Sequence, residues 1–278
     1  MQTQRQGAEL VDSRPLFELA LGPANQTSVV IWGGGARGFV ALSRLYEAWQ
    51  AWRVTMSAVV PPSIQGFLPP SIHTAALPTR DRQVSASEAW GLTHAAGLVV
   101  IGPDMQLTSG DQTLLARLLP EVSQPIICTD EALDLWRVDP ALHHHPQISL
   151  VASVENLLRV QRLSKVDQRR LAARGMYGVA EQLATVSSYA PYVFAYADDA
   201  VYMYVREADT LLFAQHNLTR EQIRILILAL LPVTLFARTT RVAALDRVRV
   251  LLACIAGLTT EEAADGQLWP KIIRRKLS

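Results

Sequence analysis

Short, almost entirely apolar runs alternate along this sequence with longer amphipathic stretches, and this alternation constrains the fold more than any other feature. The runs are SVVIW (28–32), VTMSAVV (54–60), AGLVVIG (96–102), QPIICT (124–129) and QISLVAS (147–153). Strands that are apolar on both faces are typical of a parallel sheet covered by helices on both sides. The sequence therefore predicts a three-layer α/β/α fold around a mostly parallel central sheet.

The section that follows the last of these runs has a different character. Its strand-like runs are short and rich in aromatic residues: YVFAYA (192–197), VYMYV (201–205) and TLLFA (210–214). Asp198 and Asp199 separate the first two runs, and an acidic pair between aromatic strands is typical of a hairpin turn. We therefore predict a small antiparallel meander attached to the parallel sheet.

The remaining stretches are predicted to be helical. Helices are expected from the glycine turn to about Arg53, near Ala86 to Leu92, from Gly110 to Leu119, in two stretches reaching Leu183, and near 219–231, 241–256 and 267–277. No flexible linker or repeat interrupts the sequence. The most economical interpretation is one domain over residues 1–278, in which 1–26 form a polar lead segment.

Composition excludes several classes of partner. The net charge of +1 results from 26 basic and 25 acidic residues, which gives no reason to expect nucleic acid or an anionic membrane as a partner. The two cysteines, Cys128 and Cys254, lie in apolar runs, as expected for buried free thiols in a reducing cytoplasm. The longest apolar stretch, ILILALLPVTLFA, is short and contains Pro232, so no membrane segment is predicted.

Glycines follow the first apolar run in a pattern with several interpretations. Gly33, Gly35 and Gly38 spell G-x-G-x-x-G, which occurs in dinucleotide-binding proteins at the N-terminus of a helix. Those proteins carry an acidic residue after the second strand, and VTMSAVVPPS has none. The residues alone leave three alternatives: a dinucleotide site, a site for another phosphate ligand, or a turn that only needs a positive φ angle.

Several segments, taken in order, resemble the ribokinase-like superfamily. They are VVIWGGG, AGLVVIGPDMQ, LARLLPEVSQPIICTDEALDLW, and an apolar helix that follows the meander, and they cover roughly residues 27–277. More narrowly, the chain resembles the ADP/ATP-dependent NAD(P)H-hydrate dehydratases. This resemblance implies a ribokinase-like fold, ATP or ADP with Mg²⁺ as cofactors, and hydrated NADH or NADPH as the substrate of a metabolite-repair reaction.

The resemblance also implies substrate contacts at the ends of the parallel strands. It assigns them to Gly33, Gly34, Gly35, Gly102, Asp104, Glu131 and Glu155. The chain departs from the family in this region, since Asp104 replaces a glycine and Thr129 replaces an aspartate. Ser188 and Tyr189 replace a lysine and a glycine.

The segment HNLTREQIRILILALL (216–231) occupies the place of the family's G-T-G-D motif. The resemblance implies that Glu221 is the catalytic base and that the nucleotide phosphates bind around Asn217, Leu218, Thr219 and Arg220. Arg220 replaces a glycine, and its side chain either crowds the phosphate or places a cation beside it. The structural alternative is a capping box between Thr219 and Gln222, with Glu221 favouring the first helical turn.

Other polar clusters have simpler interpretations. His143, His144 and His145 are consecutive in a loop and cannot all face one ion, so no metal site is predicted. The tyrosines of the meander pack in the core, stack on a ligand ring, or mediate contact between subunits of a homo-oligomer; they are Tyr189, Tyr192, Tyr196, Tyr202 and Tyr204.

Three functions remain compatible with the sequence. The first is a nucleotide-dependent NAD(P)H-hydrate dehydratase in the cytoplasm. The second is a catalytically silent relative that uses the same scaffold for ligand sensing or assembly, since the family's glycines and lysine are missing. The third is a small-molecule kinase, because phosphoryl transfer uses the same anion site and base.

Overall fold

A computed structural model describes residues 27–35, 39–77, 86–106, 115, 119–138, 146–160, 165–174, 176–187, 190–236 and 243–277. Several predictions fall on other residues and lie outside the described ones. They concern the lead segment 1–26, Gly38, most of the helix predicted from Gly110 to Leu119, the loop of His143 to His145, Ser188 and Tyr189.

Nine strands form one sheet in the described part of the chain. Their bounds are Ser28–Trp32 (β1), Thr55–Val60 (β2), His73–Ala76 (β3), Leu98–Ile101 (β4), Ile126–Thr129 (β5), Ile148–Ser153 (β6), Tyr192–Tyr196 (β7), Ala200–Val205 (β8) and Thr210–Gln215 (β9). The spatial order is β3-β2-β1-β4-β5-β6-β7-β8-β9. Strands β1 to β7 are parallel, and β8 and β9 continue the sheet antiparallel, as predicted.

Strand β3 is absent from the prediction. It lies in the proline-rich segment after β2 and pairs with β2 alone. His73 and Thr74 are exposed, and only Ala75 of its four residues is buried. An edge strand of this kind has no continuous apolar run that marks it in the sequence.

The described helices have these bounds: Val40–Ala51 (α1), Pro62–Gln65 (α2), Ala86–Ala95 (α3), Leu133–Val138 (α4), Val154–Val160 (α5), Lys165–Ala173 (α6), Met176–Ser187 (α7), Arg220–Leu230 (α8), Ala244–Gly257 (α9) and Trp269–Leu277 (α10). None of them is both long and apolar enough to cross a lipid bilayer.

Two helical layers cover the sheet and make the predicted three-layer architecture. Along β1, Val29 and Ile31 pack into a core with α1, α8, α9 and α10. The alternate residues Val30 and Trp32 pack into a second core with α3, α4 and α7. Alternation of side chains along each strand therefore buries the central strands on both faces, as the apolar runs indicate.

The aromatic meander divides its tyrosines between the two faces. Tyr192 and Tyr196 lie on the side of the first core, whereas Tyr202 and Tyr204 belong to the second. Asp198 and Asp199 form the tip of the β7–β8 hairpin, as predicted, and the backbone N–H of Ala197 donates to the carbonyl of Ala200. These four tyrosines therefore do not form one stacking surface for a ligand ring.

The strand order reverses at β1, because β2 and β4 lie on its two sides. The loops that follow β1 and β4 consequently leave the same edge of the sheet side by side. In open α/β sheets, ligands bind outside the carboxyl ends of the strands at such a reversal point. The predicted glycine turn and the Gly102 loop both lie at this point.

Candidate functional site

Backbone N–H groups in the loops after β1 and β4 donate hydrogen bonds to backbone carbonyl groups of neighbouring segments. The Gly34 N–H donates to the carbonyl of Pro103 at 2.8 Å, and the Gly33 N–H donates to the carbonyl of Val59 at 3.1 Å. The Gly102 N–H donates to the carbonyl of Trp32 at 2.9 Å. These donors satisfy the protein's own carbonyl groups, whereas a phosphate-binding turn presents its N–H groups to the ligand.

Close packing explains why glycine occupies these positions. Gly34 has φ +76° and Gly102 has φ +123°, which are backbone conformations that glycine adopts without strain. A Cβ atom on Gly33 would lie 2.5 Å from the Pro103 oxygen, and one on Gly102 would lie 2.1 Å from Oγ1 of Thr129. Among the three interpretations of the glycine pattern, the turn required by backbone geometry accounts for these contacts.

Asp104 occupies the position where the family has glycine. Its φ of +58° is left-handed, a conformation that aspartate tolerates better than most residues. Its Oδ2 accepts a hydrogen bond of 2.7 Å from the backbone N–H of Ala41, the second residue of α1. A dinucleotide pyrophosphate would bind at this end of the first helix, and here the chain supplies its own carboxylate instead.

Arg224 of α8 joins two of the predicted substrate-binding carboxylates. Its guanidinium donates to Oε1 of Glu131 at 2.5 Å and lies 3.7 Å from Oδ1 of Asp104. The arginine side chain is 16% exposed, and the two carboxylates are 23% and 25% exposed. Burial is the largest single influence and lowers the pKa of Arg224, but the charges around it and the hydrogen bond to Glu131 together outweigh burial, so the net shift is upward and the arginine stays charged.

Asp130 joins the ends of β5, β6 and β7. One of its oxygens accepts from the backbone N–H of Ser153 at 2.8 Å and from Nδ2 of Asn156 at 2.7 Å. The other accepts from the hydroxyl of Tyr196. Burial, reinforced by the charge of Asp130, raises the pKa of Tyr196, so this phenol remains a neutral donor at physiological pH.

Arg220, the first residue of α8, links the start of α5 to the β7–β8 hairpin. It donates to Asp198 at 2.5 and 3.1 Å and to Oε1 of Glu155 at 2.7 Å. All three side chains are well exposed, at 46% for Arg220, 56% for Glu155 and 75% for Asp198. The hydrogen bond from Arg220 lowers the pKa of Asp198.

Glu221 points away from this group. Its Oε1 accepts from Arg44 of α1 at 2.7 Å, and both side chains are about half exposed, at 50% and 49%. Glu221 lines a cleft of about 230 Å³ between α1, α8 and α10, together with Thr219, Gln222 and Trp269. The adjacent residues Arg220 and Glu221 therefore serve different surfaces.

The predicted capping box at the start of α8 is present. Oγ1 of Thr219 accepts from the Gln222 N–H at 3.3 Å, and Oε1 of Gln222 accepts from the Thr219 N–H at 3.0 Å. The side chain of Leu218 is buried in the first core. The Asn217 carbonyl accepts from the Thr260 hydroxyl at 2.6 Å. Several hydrogen-bonding groups of the segment 217–222 are therefore already bonded to other groups of the protein.

The structure gathers the predicted substrate-side residues at one edge of the sheet and adds others. The gathered residues are Gly33, Gly34, Gly35, Gly102, Asp104, Glu131 and Glu155, and Arg220, predicted to bind phosphate, bonds to Glu155. Sequence reasoning missed Arg224 and Asp130, and it named Tyr196 among the meander tyrosines without its partner Asp130. Arg224 carried a usable signal, because a single arginine within an apolar helix, four residues after Arg220, needs buried carboxylate partners.

The charges and donors at the strand ends do not fit an open site for a nucleotide with Mg²⁺. Five carboxylates accompany two arginines, namely Asp104, Asp130, Glu131, Glu155 and Asp198 with Arg220 and Arg224. This excess of negative charge opposes a polyphosphate. Among the described residues, no group of three or more His, Cys, Asp or Glu side chains is arranged to hold a metal ion.

Comparisons with known proteins identify the fold. No protein-family model matches the chain, and no curated protein matches its sequence. Its structure resembles a ribokinase-like superfamily protein of Enterococcus faecalis with a TM-score of 0.65 and 13% identity, over 99% of this chain and 92% of that one. A protein of Streptococcus mutans gives a TM-score of 0.64 at 13% identity, over 92% of each chain.

A third similar structure has a named activity. It is an ADP/ATP-dependent NAD(P)H-hydrate dehydratase of Bacillus subtilis, co-crystallised with ATP and Mg²⁺ and soaked with CoA. The TM-score is 0.57 and the identity 10%, over 91% of this chain and 93% of that one. The chain described here therefore has the ribokinase-like fold, as predicted.

Proposed function

We propose that this chain, built on the ribokinase-like fold, is a catalytically silent protein that uses the scaffold for ligand sensing or assembly. The observation that carries the proposal is the position of Arg220. Its guanidinium bonds to Glu155 and Asp198 at the start of α8, the helix that aligns with the phosphate-binding motif of the family. A phosphate at this helix end would have to compete with two carboxylates for the same arginine.

Two helix N-termini support this proposal. Asp104 caps α1, and the reciprocal Thr219–Gln222 bonds cap α8. Both helices begin where an α/β protein of this topology binds anionic ligands. Because the chain already places its own acceptors at both ends, a phosphate bound there would compete with Asp104 at α1 and with the Thr219–Gln222 capping box at α8.

Nucleotide binding and turnover test the proposal together. We expect calorimetric titration with ATP–Mg²⁺ or ADP–Mg²⁺ to give no binding up to millimolar nucleotide. We also expect no recovery of reduced-nicotinamide absorbance from hydrated NADH. Micromolar nucleotide binding with recovery of absorbance in the unmodified protein would overturn the proposal.

An Arg220→Gly variant tells whether Arg220 blocks a phosphate site at the start of α8 or whether the chain no longer has such a site. This substitution restores the glycine that the resemblance places at Arg220, and Glu155→Gln and Asp198→Asn are introduced with it so that no unpaired carboxylate repels the phosphate. If Arg220 closes the site, the variant gains measurable nucleotide affinity. Glu181, on α7, pairs with Arg174 on the protein surface, so Glu181→Gln is a matched control that should bind no nucleotide.

The second candidate is an NAD(P)H-hydrate dehydratase with Glu221 as the base, which would have to turn from Arg44 toward the strand ends, and the weak contact of this carboxylate with Arg44 supports it. The carboxylate is half exposed, and its ion pair with Arg44 is of the exposed kind, worth about 0–1 kcal/mol. This weak contact leaves the side chain free to turn. Under this candidate, recovery of the reduced cofactor would disappear in Glu221→Gln and persist in Glu47→Gln, which changes a carboxylate lining the same cleft.

A further inference from the structure

Strand β9 forms one outer edge of the sheet. It pairs with β8 from Thr210 opposite Val205 to Gln215 opposite Ala200. No other described strand pairs with its far side. An edge strand of this length presents a row of backbone N–H and C=O groups that another strand can satisfy.

The hydrogen-bond register shows which backbone groups face outward. The N–H of His216 donates to the carbonyl of Asp199, and the N–H of Arg206 donates to that of Pro191. Bonding groups alternate between the two sides of an antiparallel strand. Both bonds lead to the same assignment: Thr210, Leu212 and Ala214 face β8, whereas Leu211, Phe213 and Gln215 present their N–H and C=O groups to the outside.

Strand β9 carries neither of two features by which proteins block unwanted pairing at a sheet edge. The sequence TLLFAQ contains no charged residue and no proline, which are the usual protections of an edge strand. The side chain of Phe213 is 48% exposed and stacks on Tyr202 with a ring separation of 6.5 Å. An exposed aromatic ring on an uncharged edge strand favours association over solvation.

We propose that the protein forms a homodimer in which β9 pairs antiparallel with β9 of a second copy, about a twofold axis at Phe213. In this register Leu211 lies opposite Gln215 of the copy, and Phe213 lies opposite its own equivalent. Every outward-facing residue then meets an outward-facing residue, which gives about six backbone hydrogen bonds. The two phenylalanine rings meet on one face of the joined sheet and shield each other from water.

The self-complementary register selects a second copy as the partner. A twofold axis requires the same patch on both subunits, and β9 supplies matched groups on both sides of Phe213. The absence of charge on the strand means that the two copies do not repel each other. A partner recognised through charge would gain nothing from this strand.

The mass of the protein in solution tests the proposal. Size-exclusion chromatography with light scattering should give a dimer for the unmodified chain. Phe213→Lys places two ammonium groups against each other at the axis and should give a monomer. Phe67→Lys is the matched control, since Phe67 is 69% exposed at the opposite end of the sheet order, and it should stay dimeric.

Cysteine cross-linking tests the register without relying on a disruptive charge. Residues opposite each other in a hydrogen-bonded antiparallel pair have Cα atoms about 5.5 Å apart, within the range of a disulfide. Oxidised Phe213→Cys should therefore form a disulfide-linked dimer. Gln215→Cys should not, because the two equivalent residues would be about 13 Å apart along the strands. Cys128 and Cys254 are buried and do not interfere.

Two results would contradict the dimer, and a third would contradict its register. A monomeric unmodified chain would overturn the proposal, as would a dimer that persists in Phe213→Lys. Equal cross-linking of Phe213→Cys and Gln215→Cys would overturn the register. Circular dichroism of Phe213→Lys establishes whether the variant is folded, and if it is unfolded the Phe213→Cys result alone decides.

Discussion

The Oδ2 atom of Asp104 lies 2.7 Å from the backbone nitrogen of Ala41, so a carboxylate from the loop after β4 caps the N-terminus of α1. We expect Asp104→Asn to lower the free energy of unfolding by about 1 kcal/mol, because it removes the charge that interacts with the helix dipole and with Arg224. Urea denaturation measures the change. Glu47→Gln alters an exposed carboxylate of the same helix and should change stability by less than about 0.5 kcal/mol. Equal effects of the two substitutions would contradict the cap.

The two arginines of α8 should differ in their contribution to stability. Arg224→Met leaves Glu131 and Asp104 half-buried without their cation, and we expect it to cost about 2–3 kcal/mol. Arg220→Met breaks exposed ion pairs only and should cost much less than Arg224→Met. Urea denaturation of both variants gives the comparison. A larger loss for Arg220→Met would show that exposure does not govern these contacts.

The buried thiol of Cys128 should make the protein less stable in alkali. Burial raises the pKa of Cys128 from its ordinary value to about 12. The unfolded chain therefore loses this proton first, and stability falls as the pH rises from about 9 toward 12. The contribution of Cys128 to the slope is about 1.4 kcal/mol per pH unit.

A pair of variants isolates the effect of that thiol. Cys128→Ala should remove its contribution and flatten the dependence of unfolding free energy on pH above 9. Ile127→Val, at the neighbouring buried position of β5, should lower stability at every pH and leave the slope as it is. An unchanged slope in Cys128→Ala would show that this thiol does not titrate in the unfolded chain as expected.

Gly102 should tolerate no side chain. Its φ of +123° and the approach of Thr129 leave no room for a Cβ atom, so we expect Gly102→Ala to cost more than about 2 kcal/mol. Gly66→Ala is the matched control, because Gly66 has a right-handed helical backbone and no atom within 4 Å of a built Cβ. Thermal unfolding of the two variants distinguishes them. Similar melting temperatures would mean that the loops after β4 and β5 can move apart.

Much of the fold was predictable from local sequence patterns. Each apolar run became a central strand, because burial on both faces requires apolar residues at every position. The acidic hairpin and the capping box were also predictable, since their partners lie within a few residues of each other. Strand β3 was missed because half of it is exposed and its backbone pairs with β2 alone.

The sequence predicted where the candidate site lies, but it did not predict which of its side chains bond to each other. Asp104, Glu131 and Glu155 each follow a parallel strand, so their proximity at one edge of the sheet follows from topology. Arg220 and Glu221 are adjacent in sequence, but successive side chains on a helix point about 100° apart. One therefore faces the strand ends and the other faces Arg44.

By itself, the sequence determined the layered architecture, the meander and the helix cap, because apolar periodicity and capping act over a few residues. Only the tertiary structure decided which carboxylates hold Arg220 and Arg224. Glu155 and Glu131 lie 65 and 93 residues away along the chain. Contacts over such separations form only when the sheet brings the strand ends together, so no local rule specifies them.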